Sequence, residues 1–412
     1  DVVNDFKTKF GLGVVYDIIS HDCNKSIPLL NKDNYIEMPH YLHNNYDEMI
    51  CSVNHCENYK TLMRYYSLEE IVKFVSYVCD HGYISDERYL IENYFDSVND
   101  LQINKIKMHY ISVLKNLNSN KYLEIFNHFK NNRVKKYDST IHISTSDAKT
   151  LTDGPTIFLA DNVDKIAKFI LTESKIHKKV MDDLTETINY NEKIIAEIDK
   201  LEKKEEDMIG SAIENENKMS DEDRIPPEVK KIRKDIENLR VLVKSVSLHD
   251  IFIPNTLDHL KHWSDINKKT NQFSCKIDEN MVQKIMLLRI EPMWKILLLM
   301  GIGVFTTHKD ITYTEIIKDL ADKQHLYLIV ASSDYIYGTN YQFMHGYLSK
   351  DLENMTQEKI IQSLGRIGRN NNQKSYSIRL RNDDLIKKIM NKEEDKPEVE
   401  NMNKLFITEL DE

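Results

Sequence analysis

Apolar residues recur along this chain at two different spacings, and the change from one to the other divides it. Up to about residue 150 the spacing is helical. Ser67-Leu-Glu-Glu70 reads as a capping box, with a hydroxyl placed to take the amide three residues on and a glutamate placed to answer it. It opens an amphipathic helix through about Cys79, with Ile71, Val72, Val75 and Val78 on the apolar face. The same period returns over Asp86 to Tyr94 and Ile103 to Leu117, and Tyr122 to Phe129 adds a shorter stretch. Residues 1–150 are therefore predicted to be mostly helical.

A turn signal at Asp153-Gly154-Pro155 ends this region, and Thr156 to Ala160 follows as an apolar run of strand length. Asp161-Asn162 can cap a helix from Val163 to Leu171. Further on, His249 to Pro254 reads as another strand or extended run, and Met281–Leu288 and Trp294–Met300 as two buried helices split by Glu291-Pro292. Tyr313 to Ala321 is amphipathic, Leu326 to Ala331 is strand-like, Thr356 to Leu364 is helical and Lys374 to Arg379 is a last strand. Strands alternating with helices predict an α/β domain over 151–390 with a mostly parallel sheet covered on both faces.

Residues 173–247 interrupt that alternation. Val229, Ile232, Ile236, Leu239, Val243 and Val246 fall three and four apart, the seam of a coiled coil. Upstream, Val180, Leu184, Ile188, Ile195, Ile198 and Leu201 offer a less regular counterpart. Between the two arms Ile209 to Pro227 is polar and acidic and ends in two prolines. The pattern predicts an antiparallel helical hairpin inserted into the domain, either a docking arm for a protein partner or a solvated spacer.

Composition changes the picture in three places. At 412 residues, 41% of them hydrophobic, the chain can bury a real core, and no apolar run approaches the roughly 18 residues of a membrane span. No start resembles a signal peptide, so a soluble intracellular protein is expected. The net charge of −10 argues against an overall basic coat for nucleic acid, but 173–247 contributes −4 and an acidic tail at 391–412 contributes −5. The remainder is near neutral and leaves room for a local basic groove. Lys, Asn, Ile and Tyr are abundant while Gly and Pro are few, the bias of an AT-rich genome such as a giant DNA virus carries; such a source would place the protein in a host cytoplasm or virus factory.

The five cysteines, Cys23, Cys51, Cys56, Cys79 and Cys275, read as reduced thiols. Cys51, His55, Cys56, Cys79 and His81 could supply zinc ligands, though at looser spacing than compact zinc sites use. Tyr59, Tyr65, Tyr66, Tyr77, Tyr83, Tyr89 and Tyr94 are either core residues or stacking platforms for bases.

The stretch with the most chemistry is Gln362-Ser-Leu-Gly365-Arg366-Ile-Gly368-Arg369. Two arginines three apart, each after a glycine, can fork onto phosphate oxygens, because guanidinium is permanently charged and glycine admits a close approach to the backbone. That is the chemistry of an arginine finger; a Gly/Arg turn ending an exposed helix is the alternative.

Upstream of it stand GIGVFTTH, Gly301 to His308, and ASSDYIYGTN, Ala331 to Asn340. In order and spacing the three runs resemble the motifs G-I-G-V-H-H-A-G, A-T-x-x-x-x-x-G-x-N and Q-x-x-G-R-x-G-R. Those belong to the second RecA-like domain of superfamily 2 helicases of the Ski2-like branch, and the resemblance covers roughly 151 to 385. It implies Arg369 as the finger on the γ-phosphate of ATP, Arg366 beside it and Gln362 organising the pair. It places Gly338, Asn340, Gly365 and Gly368 near the nucleotide. Ser332, Ser333, Gly303, Thr306 and Thr307 would then grip the phosphates of a DNA or RNA strand. The chain departs from the family at Phe305-Thr306-Thr307-His308, where the family has its paired histidines and following glycine, and shows no winged-helix or ratchet domain after residue 390.

A helicase motor also needs a G-x-x-x-x-G-K-S/T loop and an acidic D-E-x-H/D box, and the sequence has neither. Asp47-Glu48 and Asp86-Glu87 do not end an apolar strand, and Phe10-Gly-Leu-Gly-Val lacks the following Gly-Lys. The expectation is the C-terminal part of an ATP-dependent helicase, inactive alone, with ATP and Mg2+ held mainly by a RecA-like domain upstream of Asp1. A noncatalytic RecA-like scaffold that docks a partner such as a nuclease, and a nucleotide-driven translocase that never separates strands, remain the alternatives.

Overall fold

The computed structural model describes residues 2–11, 24–137, 154–215, 227–254, 256–263, 276–306, 310–333, 341, 343–369, 375–393 and 397–404. In chain order the first part holds α1 (Val2–Lys9), strands β1 (Leu29–Leu30) and β2 (Ile36–Glu37), then α2 (Tyr46–Asn58), α3 (Leu68–Asp80), α4 (Ile103–Lys115) and α5 (Tyr122–Asn131). Next come β3 (Thr156–Leu159), α6 (Val163–Glu173), the long α7 (Lys178–Asn215), α8 (Pro227–Val241), α9 (Glu279–Met286) and α10 (Pro292–Leu299). After these follow β4 (Ile302–Phe305), α11 (Ile311–Asp322), β5 (Leu328–Ala331), β6 (His345–Leu348), α12 (Gln357–Leu364), β7 (Ser377–Leu380), α13 (Asp383–Met390) and α14 (Pro397–Lys404). The fold is mixed α/β, with its seven described strands paired mostly in parallel. Among the described residues no helix is long and apolar enough to cross a membrane.

Two compact units share the chain. The first comprises Asp1–Thr140, Thr156–Asp161 and Ser333–Glu412. Its strands run in the order β2-β1-β7-β6-β3, parallel throughout except for the β1/β2 pair. β3, β6 and β7 are buried at every position, which is why β3 reads as a continuous apolar run. β7 nevertheless carries two polar residues inward: Ser377 Oγ lies 2.7 Å from His345 Nδ1, and the Arg379 guanidinium covers the Tyr137 ring at 3.7 Å.

The helices of this unit enclose an aromatic cluster. His40 stacks on Phe74 at 4.3 Å and lies 2.6 Å from the Tyr110 hydroxyl through Nδ1. Burial, with a smaller push from Arg133, holds its imidazole well below the ordinary range. α3 begins as its sequence implies, Ser67 Oγ accepting from the Glu70 amide, but the box is half made: Glu70 accepts instead from the Tyr41 hydroxyl and Lys73. Its apolar face uses Ile71, Phe74, Val75 and Val78, while Val72 points outward at 56% exposure because it lies one helical step off that stripe.

The second unit comprises Ile141–Pro155 and Asn162–Ser332. Asn162 caps α6 by accepting from the Lys165 amide, and Pro292 starts α10 at the position where a missing N–H costs nothing. β4 and β5 pair in parallel with Phe305 opposite Ala331. Gly303 is a packing necessity here, since a Cβ would fall 2.8 Å from Leu326 Cδ1. α7 and α8 pack side by side in opposite directions: Arg233 meets Glu205 at 2.6 Å, Arg240 meets Glu202 at 3.0 Å and Asn191 clips the backbone of Lys244 at 2.9 Å on both its amide and its carbonyl. Ile188, Ile195, Ile198, Val229, Ile232 and Ile236 are buried along this seam.

One expected strand is absent. Residues 250–252 form a 3-10 turn, because His249 Nδ1 accepts from the Ile251 amide and bends the chain where an extended run was expected.

Candidate phosphate-binding site

The residues of the Gly/Arg stretch are placed by α12 and the turn that ends it. Thr356 Oγ1 accepts from the Lys359 amide at the start of the helix, and the buried Gln357 side chain donates to the carbonyls of Lys388 at 2.6 Å and Asn391 at 2.8 Å. Ile360 and Leu364 are fully buried, so the opposite face, with Gln362, is exposed. Gly365 closes the helix by donating to the Ile361 carbonyl.

Beyond it Ile367 and Gly368 both turn inward between the two arginines. Ile367 is 1% exposed and bridges to Phe343, just ahead of β6. Its side chain occupies the space over Gly346, where a Cβ would lie 2.2 Å from Ile367 Cδ1. Gly368 adopts φ +70°, donates to the Phe343 carbonyl at 2.8 Å and leaves room for Ile27, whose Cδ1 would meet an added Cβ at 2.6 Å. A side chain at this position would meet both strain and collision.

With Ile367 and Gly368 turned in, Arg366 is half-buried and Arg369 exposed, its Nε donating to the Gly365 carbonyl at 3.2 Å. Partial burial lowers the Arg366 guanidinium from its ordinary value, and the charge of Arg369 pushes it the same way. Two cations held within reach of each other are relieved by an anion, and the fork geometry of guanidinium suits phosphate oxygens. Gln362, Gly365, Arg366, Gly368 and Arg369 are thus gathered at the amino end of β6. Gly338 and Asn340, which precede that strand in sequence, lie outside the described residues.

The strand-contact candidates fall in a second place. Thr306 and Ser332 directly follow Phe305 and Ala331, which are partners in the β4/β5 register. Two half-buried hydroxyl residues therefore stand at the carboxyl ends of adjacent parallel strands, the position that open α/β sheets use for ligands. Ser333 follows and is also half-buried, Gly303 is enclosed in β4, and Thr307 lies outside the described residues.

The zinc set is not assembled. Cys51 is exposed, while Cys56 is buried with Sγ 3.7 Å from Met390 Sδ and its thiol pushed up to about 12 by burial. Among the described residues no three His, Cys, Asp or Glu side chains are grouped to hold a metal. Tyr65 and Tyr66 are core residues, 2% and 0% exposed.

Two residues that the sequence reading passed over touch the arginine turn. Ile27 packs on Gly368, and Arg64 Nη2 donates to the Ile367 carbonyl at 2.7 Å. Neither sits in a motif, and no local signal marks either. The sequence matches no protein-family model and no curated protein, so the helicase likeness rests on the three short runs themselves.

Proposed function

We propose that this chain is the C-terminal motor half of an ATP-dependent superfamily 2 nucleic-acid helicase of the Ski2-like kind, built around a second RecA-like domain. The observation that carries the reading is the joint presentation of Arg366 and Arg369 from a turn whose other residues are locked inward. Arg369, exposed, is the finger that meets the charge developing on a γ-phosphate; Arg366 supports it, and Gln362 borders both. Thr306 and Ser332 offer hydroxyls to the phosphates of DNA or RNA. The loop that cradles ATP and the carboxylates that hold Mg2+ belong to an upstream RecA-like domain, since no stretch of this chain has the residues for them.

A second reading, a RecA-like scaffold without catalysis, draws support from α7 and α8. Their seam buries side chains of both helices and is bridged by ion pairs across it, and the outward surface of such an inserted hairpin would offer a face to a protein partner.

ATP turnover and strand affinity of the full-length protein separate the two. Arg369→Ala is expected to lower turnover by about 10³ to 10⁵ while leaving nucleic-acid affinity nearly unchanged, and Ser332→Ala to weaken strand binding with a milder effect on turnover. Equal damage to turnover, affinity and melting temperature in both variants would defeat the assignment.

A further inference from the structure

The peptide group between Ile367 and Gly368 is pinned at both polar ends. Its N–H donates to the Phe343 carbonyl at 2.8 Å, and its carbonyl accepts from Arg64 Nη2 at 2.7 Å. Gly368 has φ +70°, a conformation from which the preceding peptide plane can turn over readily because no Cβ opposes it. Arg366 and Arg369 flank this plane, so its two hydrogen bonds anchor the turn from which both side chains leave the chain.

Arg64 is itself held in place. It lies within the 3-10 segment Lys60–Tyr65, whose Leu62, Met63 and Tyr65 are at most 2% exposed. Its own carbonyl accepts from the Ile27 amide at 3.0 Å, and Ile27 is the residue that packs on Gly368. The Arg64 Nε is enclosed with no acceptor among the described residues, while Nη2 reaches the turn.

We infer that Arg64 is a positioning residue of the arginine turn: by holding the Ile367 carbonyl it keeps Arg366 and Arg369 aimed at a common anion. The helical first part of the chain is thereby a component of the phosphate site rather than a neighbour of it. This rests on the reading of that site as the arginine half of an ATPase centre.

The test uses Arg64→Met, which keeps the apolar stem and removes the donor, and Arg64→Lys, which returns one donor. In this chain, trypsin cleavage after Arg366, mapped by mass spectrometry, is expected to rise about tenfold in Arg64→Met at unchanged melting temperature, and to return towards the parent rate in Arg64→Lys. In the full-length protein, kcat for ATP is expected to fall about 10- to 100-fold in Arg64→Met, the range that a displacement of about 1 Å produces. KM should move less than about threefold, and Arg64→Lys should recover most of kcat.

The inference is overturned if Arg64→Met is cleaved and turns over like the parent in a protein where Arg369→Ala has lost turnover. It is also overturned if cleavage rises along the whole chain with a lowered melting temperature, since Arg64 would then be a general stabiliser. If Arg369→Ala keeps full turnover, the ATPase reading fails instead, and the cleavage pattern still decides whether Arg64 holds the turn.

Discussion

Gly346 offers the sharpest test of how the arginine turn is seated. Its backbone is ordinary extended strand, so alanine is tolerated conformationally, and the change from glycine should stabilise by about 0.4 to 1 kcal/mol through the unfolded chain. Against that, the new methyl would stand 2.2 Å from Ile367 Cδ1 and 3.2 Å from its Cγ1. Ile367 is 1% exposed and cannot swing into solvent, so the methyl must displace it and the turn with it. Overpacking of this kind costs about 1 to 3 kcal/mol, which leaves a net loss of about 0.5 to 2 kcal/mol for Gly346→Ala. Ile367→Val removes the colliding atom at a cost of about 0.5 to 1.5 kcal/mol. The double variant should therefore be more stable than the sum of the two losses by about 1 to 2 kcal/mol. Denaturant unfolding of the four proteins reads this coupling directly, and additivity within about 0.5 kcal/mol would refute the seating described here.

Two further outcomes follow from the structure. His40 is kept neutral by burial in the fold, whereas the unfolded imidazole takes up a proton below about pH 6.5. The unfolded state thus binds more protons there, and stability present above that pH is lost as pH falls below it. Calorimetry between pH 7.5 and 5.5, as about the useful range around that value, should show a falling melting temperature whose slope lessens in His40→Leu; an unchanged slope contradicts the assignment. Asn191→Leu removes both bonds to Lys244 and is expected to destabilise the second unit by about 2 kcal/mol, at about 1 kcal/mol per bond, measured by denaturant midpoint.

What could be read from the sequence was mostly what local chemistry decides. Ser67, Asn162 and Pro292 start helices as their side chains dictate, β3 and β5 fall within the apolar runs that suggest them, and β7 overlaps the strand expected over Lys374 to Arg379, whereas β4 and β6 were not expected as strands. β1 and β2 were invisible because a two-residue strand carries no period, and their existence depends on partners supplied from β7. His249 to Pro254 misled because apolar residues among polar ones suit a strand and a capped turn equally. At the site, the two arginines and their glycines were legible from type and spacing. Arg64 was not, because its contact joins residues 303 apart and sequence spacing says nothing about such a pair.

That separation also dictates an order of events during synthesis. β1 has its parallel neighbour in β7, and Arg64 has its acceptor in Ile367, so the first part of the chain is complete only when the last part has emerged. At about 5 to 20 residues per second a ribosome takes roughly 15 to 60 s to cover that interval. Throughout it Ile27, Leu29 and Leu30, all fully buried in the finished fold, lack the surfaces that cover them. The nascent protein therefore keeps these residues uncovered until late in translation, and β7, which follows the arginine turn, is the piece whose arrival ends the exposure.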